Sequence, residues 1–113
     1  MEAVERAATI TESLAEEIVR RVLSVAKPDK IILFGSAATG TMNRDSDIDL
    51  LIVEQEPGDR RAESVRIDLA LSGLGRPFDV IVISTGWFEA SKNLIGGIAY
   101  PVNKYGRVIY AAV

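Results

Sequence analysis

KIILFGSAATGTMNRDSDIDLLIV, residues Lys30–Val53, is the stretch on which the reading of this chain turns. The apolar, β-branched run KIILF (30–34) reads as a buried strand, and GSAATG (35–40) as a turn with one helical turn. DIDLLIV (47–53) is uniformly apolar after its aspartates, the pattern of a strand covered on both faces. Residues two apart on a strand share a face and lie about 6–7 Å apart along it. Asp47 and Asp49 therefore project together at the mouth of a buried strand, while Ile48 turns to the other side. Two neighbouring carboxylates repel, and one has its pKa raised unless a cation lies between them. Oxygen-only ligation that leaves room for water and phosphate is the chemistry of Mg²⁺.

Further along, FDVIVIS (78–84) repeats the switch from polar to apolar, with Asp79 at its opening. If the second and third strands are neighbours, Asp79 lies beside the Asp47–Asp49 pair, and three carboxylates can hold two metal ions about 4 Å apart. On the other side of the polar passage, Gly35-Ser36 ends the first strand. Glycine lets a ligand approach the backbone closely, and a helical turn after it aims amides at phosphate. A phosphate cradle and a metal-binding carboxylate cluster are the two halves of a nucleoside-triphosphate site.

Two look-alike motifs fail. Gly35 to Gly40 has the glycine spacing of a P-loop, but Thr41-Met42 stands where Lys-Ser/Thr is required. Asp45, Asp47, Asp49 and Glu56 imitate a calcium loop, but Leu50 replaces its glycine and LLIV belongs to a strand.

Before this core, Ile10, Leu14, Ile18 and Val22 recur every four residues, predicting an amphipathic helix with a capping box from Thr9 and Glu12 or Ser13 and Glu16, ended by Pro28-Asp29. After it, Ala62, Val65, Leu69 and Leu71 predict a helix to about Leu74, with Gly73 and Gly75 as its stop. Ser84 or Thr85 caps a helix containing Trp87 and Phe88. NLIGGIAYPVNKYG (93–106) is ambiguous because Gly96, Gly97 and Pro101 weaken a helix. RVIYAAV (107–113) reads as an edge strand. This order predicts a mixed sheet covered by helices in a single domain, 1–113.

Composition narrows the chemistry. Of 113 residues, 48% are hydrophobic and 26% charged, which fits one globular domain. The absence of cysteine excludes disulfides and zinc–thiolate sites. The absence of histidine removes the commonest general base, so catalysis must run on carboxylates, hydroxyls, Lys, Arg or a bound ion. A net charge of −3 with no basic run beyond Arg60-Arg61 speaks against direct nucleic-acid binding. No window approaches a membrane span and no signal peptide is evident, so the expected location is the cytoplasm.

FGSAATG…DSDIDLLIV followed by FDVIVIS resembles the minimal nucleotidyltransferases of the DNA polymerase β superfamily, including their antitoxin-type members. Their pattern is Gly-Ser, about ten residues, Asp-x-Asp, then a third Asp on a later strand. IAYPVNKYGRVIYAA is similar to their closing helix and strand, so the likeness covers about Lys30–Ala111. The resemblance implies an α+β nucleotidyltransferase (polymerase β-like) fold, a mixed β-sheet with helices packed on it. It implies transfer of a nucleoside monophosphate, often AMP from ATP, to a hydroxyl with release of pyrophosphate. Gly35 and Ser36 would hold the triphosphate. Asp47, Asp49 and Asp79 would bind two Mg²⁺ ions, and Asp79 would help deprotonate the acceptor. The implied partner is a small helical HEPN-type toxin, modified on a tyrosine in some family members; a homodimer is the alternative assembly.

The chain departs from the family at Ala37-Ala38-Thr39, where Gly-Ser is usually followed by Arg-Ala-Arg. An arginine–phosphate contact contributes about 1.5–3 kcal/mol, and Arg44, Lys104 and Arg107 are the candidates to replace two such contacts. The departure opens a second reading, a catalytically weak or inactive antitoxin that acts by forming a complex.

Overall fold

The computed structural model describes residues 10–40 and 46–113. Helix α1 (Glu12–Leu23) begins where Thr11 accepts a hydrogen bond from the Leu14 amide at 3.2 Å. The Ser13–Glu16 box is not used, because Ser13 lies inside the helix, and the Thr9 of the other box lies outside the described residues. α1 stops at Leu23, well before Pro28, because Ser24 turns its hydroxyl onto the Arg21 carbonyl.

Strand β1 (Lys30–Phe34) leads into the single-turn helix α2 (Ser36–Thr39), and strand β2 (Ile48–Glu54) follows. Helix α3 (Arg60–Ala70), N-capped by Asp59, crosses to strand β3 (Phe78–Ser84). Ser84 caps helix α4 (Thr85–Ser91), and helix α5 (Ala99–Tyr105) precedes strand β4 (Arg107–Ala111). Pro101 is accommodated because it stands in the first turn of α5, where its missing N–H would have no partner within the helix.

The sheet order is β3-β2-β1-β4, with β1 antiparallel to both neighbours and β2 parallel to β3. This is the mixed sheet expected, with β4 on an edge. Strand alternation gives it two apolar faces. Ile31, Leu33, Ile48, Leu50 and Ile52 pack beneath α1 and α3, against Ile18, Val22, Ile67 and Leu71. Ile32, Leu51, Val53 and Ile83 pack beneath α4 and α5, against Phe88, Ala99 and Val102. β2, covered on both sides, is the central element; all five residues from Leu50 to Glu54 are buried.

The apolar stripe expected on α3 is only partly the buried one. Leu71 is buried as expected, but Val65 and Leu69 are exposed, and Ile67 takes their place against the sheet. Arg66, exposed on the flank of the helix, donates to the Val25 carbonyl and to Glu63.

Candidate active site

Asp49 is the only acidic residue of β2's first half, and its place follows from the pleat. It shares a face with Leu51 and Val53, the α4/α5 side, and it pairs in register with Phe34 on β1 and with Asp79 on β3. The parallel register brings two aspartates from segments thirty residues apart side by side. Asp47 lies just ahead of β2, which begins at Ile48 rather than at Asp47. The entrances to β2 and β3 are tied together. The Ile48 amide donates to the Pro77 carbonyl at 2.9 Å, and Arg76 Nη2 donates to the Ser46 carbonyl at 3.3 Å. Arg76 carried no sequence signal, because its partner is a backbone carbonyl thirty residues away.

Asp49 is half-buried, whereas Asp47 and Asp79 are exposed. Burial raises the Asp49 pKa, and the charges of Asp79 and then Asp47 raise it further. All three influences act in one direction, so the cluster carries repulsion that a cation would relieve.

Gly35 forms the wall facing this cluster. Its φ of +63° is a conformation that suits glycine, and a Cβ there would fall directly on Asp49 Oδ2. The Gly35 carbonyl accepts from the Ala38 and Thr39 amides at 3.1 and 3.2 Å, closing α2 into one turn that starts at Ser36. Amides at the start of a helix have no partner within it and face outward to acceptors.

Of the cations considered as phosphate ligands, Arg107 is engaged elsewhere, while Lys104 rests on tyrosine rings next to the Gly35 cavity. Arg107 donates to the Ile10 carbonyl and to Glu12 at 2.9 and 2.8 Å, on the α1 side. Lys104 Nζ sits 5.7 and 5.5 Å from the ring centroids of Tyr100 and Tyr105. Arg44 lies outside the described residues. Of the two positions where arginine is usual, Ala37 is buried in the core and Thr39 is exposed.

Among the described residues, no three acidic side chains meet closely enough to form a ready-made metal cage. The donor set instead fits Mg²⁺, which is commonly held by one or two carboxylates with substrate phosphate and water completing the octahedron.

A family model described as a nucleotidyltransferase domain matches residues 13–100, spanning α1 through the start of α5. The chain belongs to the nucleotidyltransferase-domain family. No curated protein matches it. Two crystal structures share the fold of this nucleotidyltransferase domain. One is a mutant of the toxin–antitoxin MntA-HpeT, 20% identical with a TM-score of 0.61, over 91% of this chain and 75% of that one. The other is a toxin–antitoxin with AMP-PNP, 22% identical with a TM-score of 0.58, over 87% of this chain and 73% of that one. Among the described residues, no helix is long and apolar enough to cross a membrane.

Proposed function

We propose that this nucleotidyltransferase domain transfers AMP from ATP to a hydroxyl group of a protein partner, with Asp47, Asp49 and Asp79 as its catalytic carboxylates. The observation that carries the reading is the parallel register of Asp49 with Asp79, with Gly35 packed against Asp49. Phosphate is held between the Gly35-Ser36 turn and the carboxylates. Asp47, Asp49 and Asp79, together with the substrate phosphates, would hold Mg²⁺, which would supply charge neutralisation on the phosphates and the departing pyrophosphate.

In the transfer, the acceptor oxygen forms a bond to the α-phosphorus. The bond from that phosphorus to the bridging oxygen of the β-phosphate breaks, and pyrophosphate leaves with the electron pair. Asp79, exposed at the edge of the cluster, takes the acceptor's proton. Close packing of the half-buried Asp49 against Gly35 and beside β3 orients it, and positioning together with electrostatic stabilisation supplies the acceleration in phosphoryl-type transfer.

Two solved likenesses, a toxin–antitoxin mutant and a toxin–antitoxin with AMP-PNP, support a toxin as the partner. A small helical HEPN-type toxin bearing an acceptor tyrosine is the partner this chain would modify in the cytoplasm. The test is incubation with α-labelled ATP and Mg²⁺, with and without a co-purifying partner. Label on the partner that disappears with Asp47→Asn supports transfer.

A second reading rests on Ala37 and Thr39, which stand in place of phosphate-binding arginines. There the chain neutralises its partner by binding alone. A stable, unlabelled complex that is indifferent to Asp47→Asn would establish that reading.

A further inference from the structure

Beside the carboxylate cluster, on the far side of Gly35, lies a cavity of about 420 Å³ that the transfer step does not use. Phe34, Gly35 and Thr39 form one wall, and Val102, Tyr105 and Gly106 of the α5–β4 corner form the other. Its volume falls within the range of small-molecule sites, about 300–1,000 Å³. Its lining is almost wholly carbon. Its side-chain hydroxyl from the inner wall, that of Thr39, donates to the Gly35 carbonyl at 3.3 Å. Tyr105 is 61% exposed.

The cavity is held open by close packing. A Cβ on Gly106 would strike the Val102 and Leu33 carbonyls and Ile32, so glycine lets α5 turn into β4 directly against β1. Gly35 is the shared wall, lining the cavity and touching Asp49. In a nucleotide, base and phosphates are one ribose apart, so their two subsites must adjoin as these do.

Resting on the nucleotidyltransferase reading above, we infer that this cavity takes the purine base of the nucleotide, stacked on Tyr105 and held by shape and apolar contact without being read. A base is discriminated when buried donors and acceptors match its edge. This lining offers a face to stack on and little to read an edge with. Adenine and guanine nucleotides are therefore accepted alike.

Calorimetry in Mg²⁺ with non-hydrolysable ATP and GTP analogues and with inorganic tripolyphosphate tests this. Both analogues are expected to bind within about threefold of each other and more tightly than tripolyphosphate. Tyr105→Ala should weaken both about tenfold and leave tripolyphosphate unchanged, and Tyr105→Phe should restore them. In the wild-type chain, nuclear Overhauser transfer from the Val102 methyls to the base protons gives a readout that needs no variant. A preference above tenfold for one purine, equal weakening of tripolyphosphate by Tyr105→Ala, or no transfer from Val102 overturns the inference. If tripolyphosphate binds and the nucleotides bind no more tightly, the base subsite alone falls. If neither binds, the transferase reading falls with it.

Discussion

β2 carries crowded carboxylates at both ends, and the two ends resolve the crowding in opposite ways. At its C-terminal end Glu54, 6% exposed, turns onto the α1/α3 face toward Glu63 of α3. Burial, then a hydrogen bond to Glu63 and its charge, push the Glu54 pKa up to about 7, while Arg66 pulls the other way. Glu63 and the Arg66 guanidinium act on that end from within the chain, with one buried oxygen of Glu54 left without a hydrogen-bond partner. At the N-terminal end, burial and the charges of Asp79 and Asp47 all raise Asp49. No opposing cation figures among those influences, and the cluster opens to solvent through Asp47 and Asp79. An interior acid pair is a matter of stability, whereas an open one left unbalanced carries repulsion that a cation would relieve.

The contrast breaks most directly at Asp49. Asp49→Asn should lower the transfer rate by about a thousandfold, roughly 4 kcal/mol of barrier, while thermal stability holds or rises as repulsion is relieved. Loss of stability with transfer intact would make Asp49 structural, like Glu54. Gly35→Ala comes next. It forces an L-residue to a φ of +63° and drives its methyl into Asp49, for a loss of about 2 kcal/mol in denaturant unfolding. An unchanged midpoint would mean that the Gly35–Asp49 contact is loose.

Glu54→Gln probes the interior end through pH. A carboxyl whose folded pKa, about 7, lies above its ordinary 4.5 contributes stability that is complete below pH 4.5 and lost as pH rises through 7. Glutamine cannot ionise, so the variant should be more stable than the parent at pH 8 by about 1 kcal/mol, allowing for solvent screening. At pH 4 the two should match. A constant difference across pH would show that Glu54 does not titrate in this window. The smallest effect is that of the ion itself. Mg²⁺ at its own dissociation constant adds about 0.4 kcal/mol, a rise of about 2 °C in Tm for a domain of this size. Asp49→Asn should abolish that rise, and Glu54→Gln should leave it in place.

Much of the site was legible because it depends on local pattern. Alternation along DIDLLIV puts Asp47 and Asp49 on one face, and β3 runs over the seven residues FDVIVIS. Gly35 advertises its role through residue type. The pairing of Asp49 with Asp79 was conditional on β2 and β3 being neighbours, a long-range fact that the order of elements permits without requiring. α3 was read only in part because Glu63, polar in the sequence, is largely covered, while the apolar Val65 and Leu69 face solvent. α5 was obscured by Gly96, Gly97 and Pro101, of which the glycines precede the helix and the proline sits in its first turn. The cavity beside Gly35 left no trace in the sequence, since it arises where Gly106 lets two distant segments meet.

The alternation of β2 also divides labour between the two faces of the sheet. Everything assigned to chemistry, Asp49 and Asp79 with the Gly35 wall, belongs to the side that α4 and α5 cover. The packing of α1 and α3 uses the opposite set of side chains. Mutation can therefore explore one side for new acceptors or nucleotides while the other continues to specify the fold. A sheet built this way is a scaffold whose catalytic repertoire can drift without first surrendering its architecture.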